Sequence, residues 1–170
     1  GKVQIKPFAF TFKGVDFYCG QTYWFQKPYD KPGLASEAKF YAPDGVIDAL
    51  NAYVESAEHK GKAAIWMQHY PFNYGSDCGR WWLNQNAGGN SLDSEVTSAY
   101  TTAAQKKDKL VEIISKTKNP FHFSGHVHST ATNTYSTLTD YTIDNTISMA
   151  AYVVLCKEGV GVVEVKTVTF

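Results

Sequence analysis

Apolar and polar positions alternate with period two at the start of this chain. Phe8, Phe10 and Phe12 alternate with smaller or polar residues, and Val15, Phe17 and Cys19 resume the pattern after Lys13-Gly14. Two such runs across a two-residue turn containing glycine predict a β-hairpin with one strongly apolar face. That face needs a covering layer. Residues 20–43 show no period and read as an irregular loop. Asp44 then caps a helix in which Val46, Ile47, Leu50, Tyr53, Val54 and Ala57 share one face, with Gly61 as its stop. Ala63 to Met67 is a short apolar run and predicts a central strand, with Gln68-His69-Tyr70-Pro71 at its end.

Residues 72–94 form a second long loop rich in Asn, Gly, Trp and Ser. Long loops of this kind in compact domains are often functional. A helix is expected over about Ala103 to Lys116, with Leu110, Ile113 and Ile114 on one side. Pro120 opens a strand that leads to His126 and His128. From Ala131 to Phe170 the chain is rich in Thr and Val, with turn signals at Asp144-Asn145 and Glu158-Gly159, and several antiparallel strands are expected. The order is hairpin, helix, strand, helix, strand, then strands. It predicts an α/β fold of mixed β-sheets flanked by helices.

Composition narrows the function classes. The chain has 170 residues, 44% hydrophobic and 15% aromatic, which suits a single domain (residues 1–170) with a real core. Lys+Arg and Asp+Glu are 16 each, so the basic excess that nucleic acid or an anionic membrane would demand is missing. No apolar run reaches the length of a membrane span. Cys19, Cys78 and Cys156 lack zinc-type spacing. Cys19 and Cys156 read as small buried apolar residues, and Cys78 as exposed. One disulfide is possible without a determined pair, and localisation stays unknown.

The candidate chemistry lies at two strand ends. Phe121-His122-Phe123-Ser124-Gly125-His126-Val127-His128 reads as a strand, a glycine turn and two imidazoles one residue apart. Neutral imidazole is the commonest ligand for zinc-like ions, and Gly125 permits the sharp turn. His69 follows the other strand. If both strands are fed by helices, they run parallel and deliver three of the five histidines to one sheet edge, where ligands bind in open α/β sheets. The alternative for such a pair is a surface or core role. His122 points away from Phe121 and Phe123 and reads as a satisfied core or helix-facing histidine. His59, at a helix C-terminus, complements the dipole.

Ile65-Trp66-Met67-Gln68-His69-Tyr70-Pro71 together with Phe123-Ser124-Gly125-His126-Val127-His128 resembles the C-terminal half of the calcineurin-like metallophosphoesterases. The opening hairpin, Phe10 to Phe17, is similar to the one after that family's Gly-Asn-His-Asp motif. The resemblance implies that the fold is half of a β-sandwich and that the chain is the C-terminal part of a larger domain. It implies His69 and His126 on one divalent transition metal (zinc, iron or manganese) and His128 on another. It also implies a phosphate-ester substrate hydrolysed by a metal-activated water. The family's Asp-x-His, Gly-Asp-x-x-Asp and Gly-Asn-His-Asp motifs do not occur here, so the bridging carboxylate and the general acid are absent. One metal or none is expected in this chain, with little or no turnover. The alternative is a non-catalytic module with a degraded site.

Asp16, Asp44 and Asp48 read as turn and cap residues, and Asp140, Asp144 and Asn145 as turn-type residues making local bonds. Arg80 and Asn73 are candidate substrate contacts, through a phosphate clamp and pocket lining. Their competing readings are a solvated arginine and a simple turn. Trp81 and Trp82 could wall an organic leaving group or cover the sheet edge. The apolar hairpin face predicts self-association.

Overall fold

A computed structural model describes residues 8–20, 23–24, 40–41, 44–69, 71–72, 99–100, 102–125, 129–143 and 150–169. The fold is mixed α/β. The first hairpin forms as the pattern predicts, with β1 (Phe8–Phe12) and β2 (Val15–Cys19) paired so that Phe10 faces Phe17. Lys13 and Gly14 both have positive φ (47° and 72°), which is the twist a two-residue hairpin turn requires. Within the 20–43 segment, β3 (Tyr23–Trp24) pairs antiparallel with β4 (Phe40–Tyr41). Residues 21–22, 25–39 and 42–43 lie outside the described ones.

Helix α1 (Asp44–Glu55) buries Ile47, Leu50 and Val54, and β5 (Ala63–Met67) follows it. The helix stops at Glu55, earlier than Gly61 suggested, because Ser56 to Lys60 form turns that carry His59 back to the sheet. Helix α2 (Ala103–Ile114) starts in a capping box, with Thr102 Oγ1 accepting from Gln105 N–H and Gln105 Oε1 accepting from Thr102 N–H. Lys106 is buried on this helix, its ammonium 5.9 Å from the centre of the Tyr100 ring.

Next come β6 (Lys118–Ser124), β7 (Ala131–Tyr135), β8 (Leu138–Thr142), β9 (Ala150–Lys157) and β10 (Gly161–Thr169). Strand β6 begins two residues before Pro120, because Asn119, at φ 49°, bulges the ladder between Ala63 and Ile65. The six-stranded sheet has the order β1-β2-β5-β6-β8-β7. Strands β2, β5, β6 and β8 are mutually parallel, and β1 and β7 close the edges antiparallel. The expectation of antiparallel strands after Ala131 therefore holds for the β7–β8 and β9–β10 pairs, but β8 also extends the parallel sheet. The β7–β8 turn at Ser136 (φ 54°) carries no Gly, Pro or Asn, which hid it from the sequence pattern.

Both helices cover one face. Ile47, Leu50 and Val54 of α1 and Leu110, Ile113 and Ile114 of α2 pack on Tyr18, Ala64, Trp66 and Leu138. The β9–β10 hairpin covers the other face, where Val154, Val162 and Val165 meet Val15, Ile65, Phe17, Met67, Phe121 and Phe123. With layers on both sides, β5 is apolar on both, as a central parallel strand must be. The two hairpins meet at their turns: Gly159 N–H donates to Lys13 C=O at 3.0 Å. Gly161, at φ 90°, lies so close to β5 that a Cβ there would sit 3.0 Å from Ala63 Cβ.

The cover over β1 is incomplete. Val15 is buried and Phe17 half-buried, but Phe10 and Phe12 are 47% and 60% exposed. Cys156 is exposed on β9 and Cys19 half-buried on β2, so neither is the buried apolar residue expected; both are free thiols. Cys156 lies on the hairpin layer beside Leu155, itself exposed, so strand alternation there does not mean burial. Among the described residues no helix is long and apolar enough to cross a membrane.

Candidate functional site

The parallel order brings the strand ends together. Gly20 N–H donates to Met67 C=O (2.9 Å), Gln68 N–H to Phe123 C=O (3.1 Å), Gly125 N–H to His69 C=O (3.1 Å) and Ile143 N–H to Ser124 C=O (2.9 Å). These bonds carry the ladder past the formal ends of β2, β5, β6 and β8 and fix one C-terminal edge. His69 stands on it, exposed. Neighbouring chain encloses the imidazole enough that burial pushes its pKa below the ordinary value. Burial thus favours the neutral ring, the form that ligates a metal.

His126 and His128 lie outside the described residues, as do Asn73, Arg80, Trp81, Trp82, Cys78, Asp144 and Asn145. Among the described residues no group of three or more His, Cys, Asp or Glu side chains is placed to hold a metal ion.

Below the edge, on the helix-facing side, β6 and β8 are joined by side chains. His122 Nδ1 lies 2.6 Å from Asp140 Oδ1, and Ser124 Oγ lies 3.2 Å from Thr142 Oγ1. His122 is 1% exposed and Asp140 0%. Phe72 covers the imidazole, ring centres 4.1 Å apart. The helix-facing reading of His122 is thus what the fold contains, but Asp140 is a strand residue paired to an imidazole and not a turn residue. His122 Nε2, Asp140 Oδ2 and, on the adjacent strand β5, Trp66 Nε1 are buried without a hydrogen-bond partner among the described residues. Each such atom costs on the order of 1–3 kcal/mol if it stays unpaired.

A second histidine–carboxylate pair sits near the other end of the sheet. Asp16, buried in β2, accepts from Thr11 Oγ1–H (2.6 Å) and lies 2.8 Å from His59 Nδ1. His59 stacks on Tyr53, ring centres 3.8 Å apart. Burial, with the Asp16 charge second, pushes the Tyr53 phenol up to about 12. Asp16 is therefore neither a turn nor a cap residue, and His59 serves as the arm that fastens the end of α1 to β2. Asp48 is exposed on the surface of α1, not in a turn.

Sequence reasoning missed both pairings. The signal for one was present: His122 and Ser124 in one strand, Asp140 and Thr142 in another, each interrupt an apolar alternation on one face. The second joins residues far apart in sequence with no periodic cue. Comparison with protein-family models finds none that matches the chain, and comparison with curated proteins finds no match either.

Proposed function

We propose that the chain is part of a metal-dependent phosphoesterase, with His69, His126 and His128 as imidazole ligands at the shared strand edge. One observation carries the reading. Gly125 N–H donates to His69 C=O, so the chain departs toward His126 and His128 from a point held against His69 itself. The donor set suits zinc, iron or manganese. Burial at His69 favours the neutral, ligating form of its ring. A bound ion would supply Lewis-acid stabilisation of phosphate charge and acidify a water.

This chain's own residues would orient that ion and contact the ester. Arg80 offers a guanidinium fork for phosphate oxygens, and Asn73 an amide. The substrate class is a phosphate ester.

The described buried carboxylates are engaged elsewhere, Asp16 by His59 and Asp140 by His122. Neither bridges two metals on this reading, and two adjacent cations without a bridge repel. The isolated chain therefore holds one metal or none and does not turn over. The same observation favours a second reading, a non-catalytic module of the same fold with a degraded site. Self-association through β1 belongs to both, driven by exposed Phe10 and Phe12. A monomer in sedimentation at micromolar concentration would exclude it.

The deciding experiment is elemental analysis of the purified chain beside His69→Ala, His126→Ala and His128→Ala. Near-stoichiometric metal, lost in each variant, supports the metal centre. Metal at background in the unsubstituted chain overturns it in favour of the second reading.

A further inference from the structure

Trp66, His122 and Asp140 occupy facing register positions on three adjacent parallel strands, β5, β6 and β8. All three side chains belong to the helix-covered face, and none is more than 2% exposed. His122 and Asp140 satisfy each other through Nδ1 and Oδ1 at 2.6 Å. Trp66 Nε1 and His122 Nε2 remain buried without protein partners among the described residues, on neighbouring strands, as does Asp140 Oδ2 beyond them.

The chemistry of these atoms selects a ligand. Indole Nε1–H can only donate. In the neutral ring, with the Nδ1 proton directed at Asp140, Nε2 can only accept; in the charged ring it donates. A metal cation would suit the neutral Nε2 but would face the Trp66 N–H. An anion would face the buried Asp140 carboxylate. A small neutral molecule that both donates and accepts meets both atoms in either protonation state, and of that class water fits an enclosed interior.

We infer that Trp66 Nε1 and His122 Nε2 form a buried water-binding site, in which a water accepts from the indole and bonds to the imidazole. The site is separate from the proposed metal ligands and does not depend on them. It gives His122 a second anchor beside Asp140, so both ring nitrogens are held and the imidazole plane is fixed between β5 and β8.

The test uses the whole chain in solution. The indole N–H resonance of Trp66 is assigned by its loss in Trp66→Phe, and water–indole cross-relaxation is then measured. A cross-peak to a long-lived water at this solvent-sealed proton is expected. His122→Asn keeps a side-chain donor at the Nδ1 position for Asp140 but deletes Nε2, and the cross-peak should vanish. No cross-peak in the unsubstituted chain overturns the inference, whether or not His122→Asn folds. A cross-peak that survives His122→Asn overturns the assignment of the imidazole. In a double-variant cycle, the effects on the unfolding constant should depart from a simple product by at least about threefold. A simple product would refute the shared bridge.

Discussion

Replacing Asp140 by Ala should be among the most damaging single changes in this protein, and replacing it by Asn should be far milder. Asp140 is fully buried and its Oδ1 lies 2.6 Å from His122 Nδ1. Alanine removes the acceptor and leaves the imidazole N–H enclosed with nothing to bond. Breaking one side of a buried pair typically costs about 3–5 kcal/mol. That is a large share of the roughly 5–15 kcal/mol by which a domain is stable. Asparagine keeps a carbonyl oxygen at the same place. It loses the charge assistance but not the bond, a difference of about 1–2 kcal/mol. Urea unfolding followed by tryptophan fluorescence would measure both, since Trp66 is buried beside His122 in the register. Equal losses for the two variants, or a loss below about 1 kcal/mol for Ala, would refute the view that this bond closes the β6–β8 seam.

Other outcomes follow from the same reasoning. Gly161→Ala should destabilise by about 1–3 kcal/mol, because the new methyl meets Ala63 Cβ at 3.0 Å on a backbone at φ 90°; a melt unchanged within error would count against close docking of the hairpin. Asp16→Ala should cost about 1–3 kcal/mol, chiefly by removing the partner of His59 Nδ1, and thermal unfolding would show it as a drop of several degrees. The Lys116 ammonium, through its hydrogen bond and then its charge, holds the Glu55 carboxyl below the ordinary range, with Lys60 adding less. The folded pKa lies below the unfolded one, so the small stabilisation is present above the ordinary glutamate value and fades as pH falls through the folded value. Glu55→Gln should therefore lower the melting temperature slightly near neutrality and not at all in strong acid; an equal shift at both would show that the ion pair is not the cause.

The two helices, the first hairpin and the central strand β5 were legible in the sequence because each is governed by local rules: period, turn chemistry and capping. Leu110, Ile113 and Ile114 fall on one helix face by spacing alone, and they are buried. The parallel pairing of β5 with β6 was inferred from the helix between them, which rests on the rule for crossover connections. Strand β8 was not recognised as a parallel neighbour of β6, because its pairing is set by β7 reversing the chain across a turn without glycine. Asp16 and Asp140 were misread for one reason. A carboxylate in isolation looks like a turn former, and only a tertiary partner, His59 or His122, makes its burial tolerable. Of the candidate site, the edge position of His69 and its nearness to Gly125 followed from topology; the side-chain seam beneath it did not.

The parallel core also dictates an order of assembly. The pairs β1–β2, β7–β8 and β9–β10 close over short turns and can form from neighbouring residues. Each parallel contact, by contrast, must wait until a helix or a reversing strand has been laid down between its two members. The β5–β6 contact joins strands separated in the chain by residues 68–117, α2 among them, so its loop-closure entropy is among the largest in the sheet. The edge that carries His69 and Gly125 is thus a late product of folding. A chain stalled after its hairpins have formed would have most of its local structure and none of the proposed site.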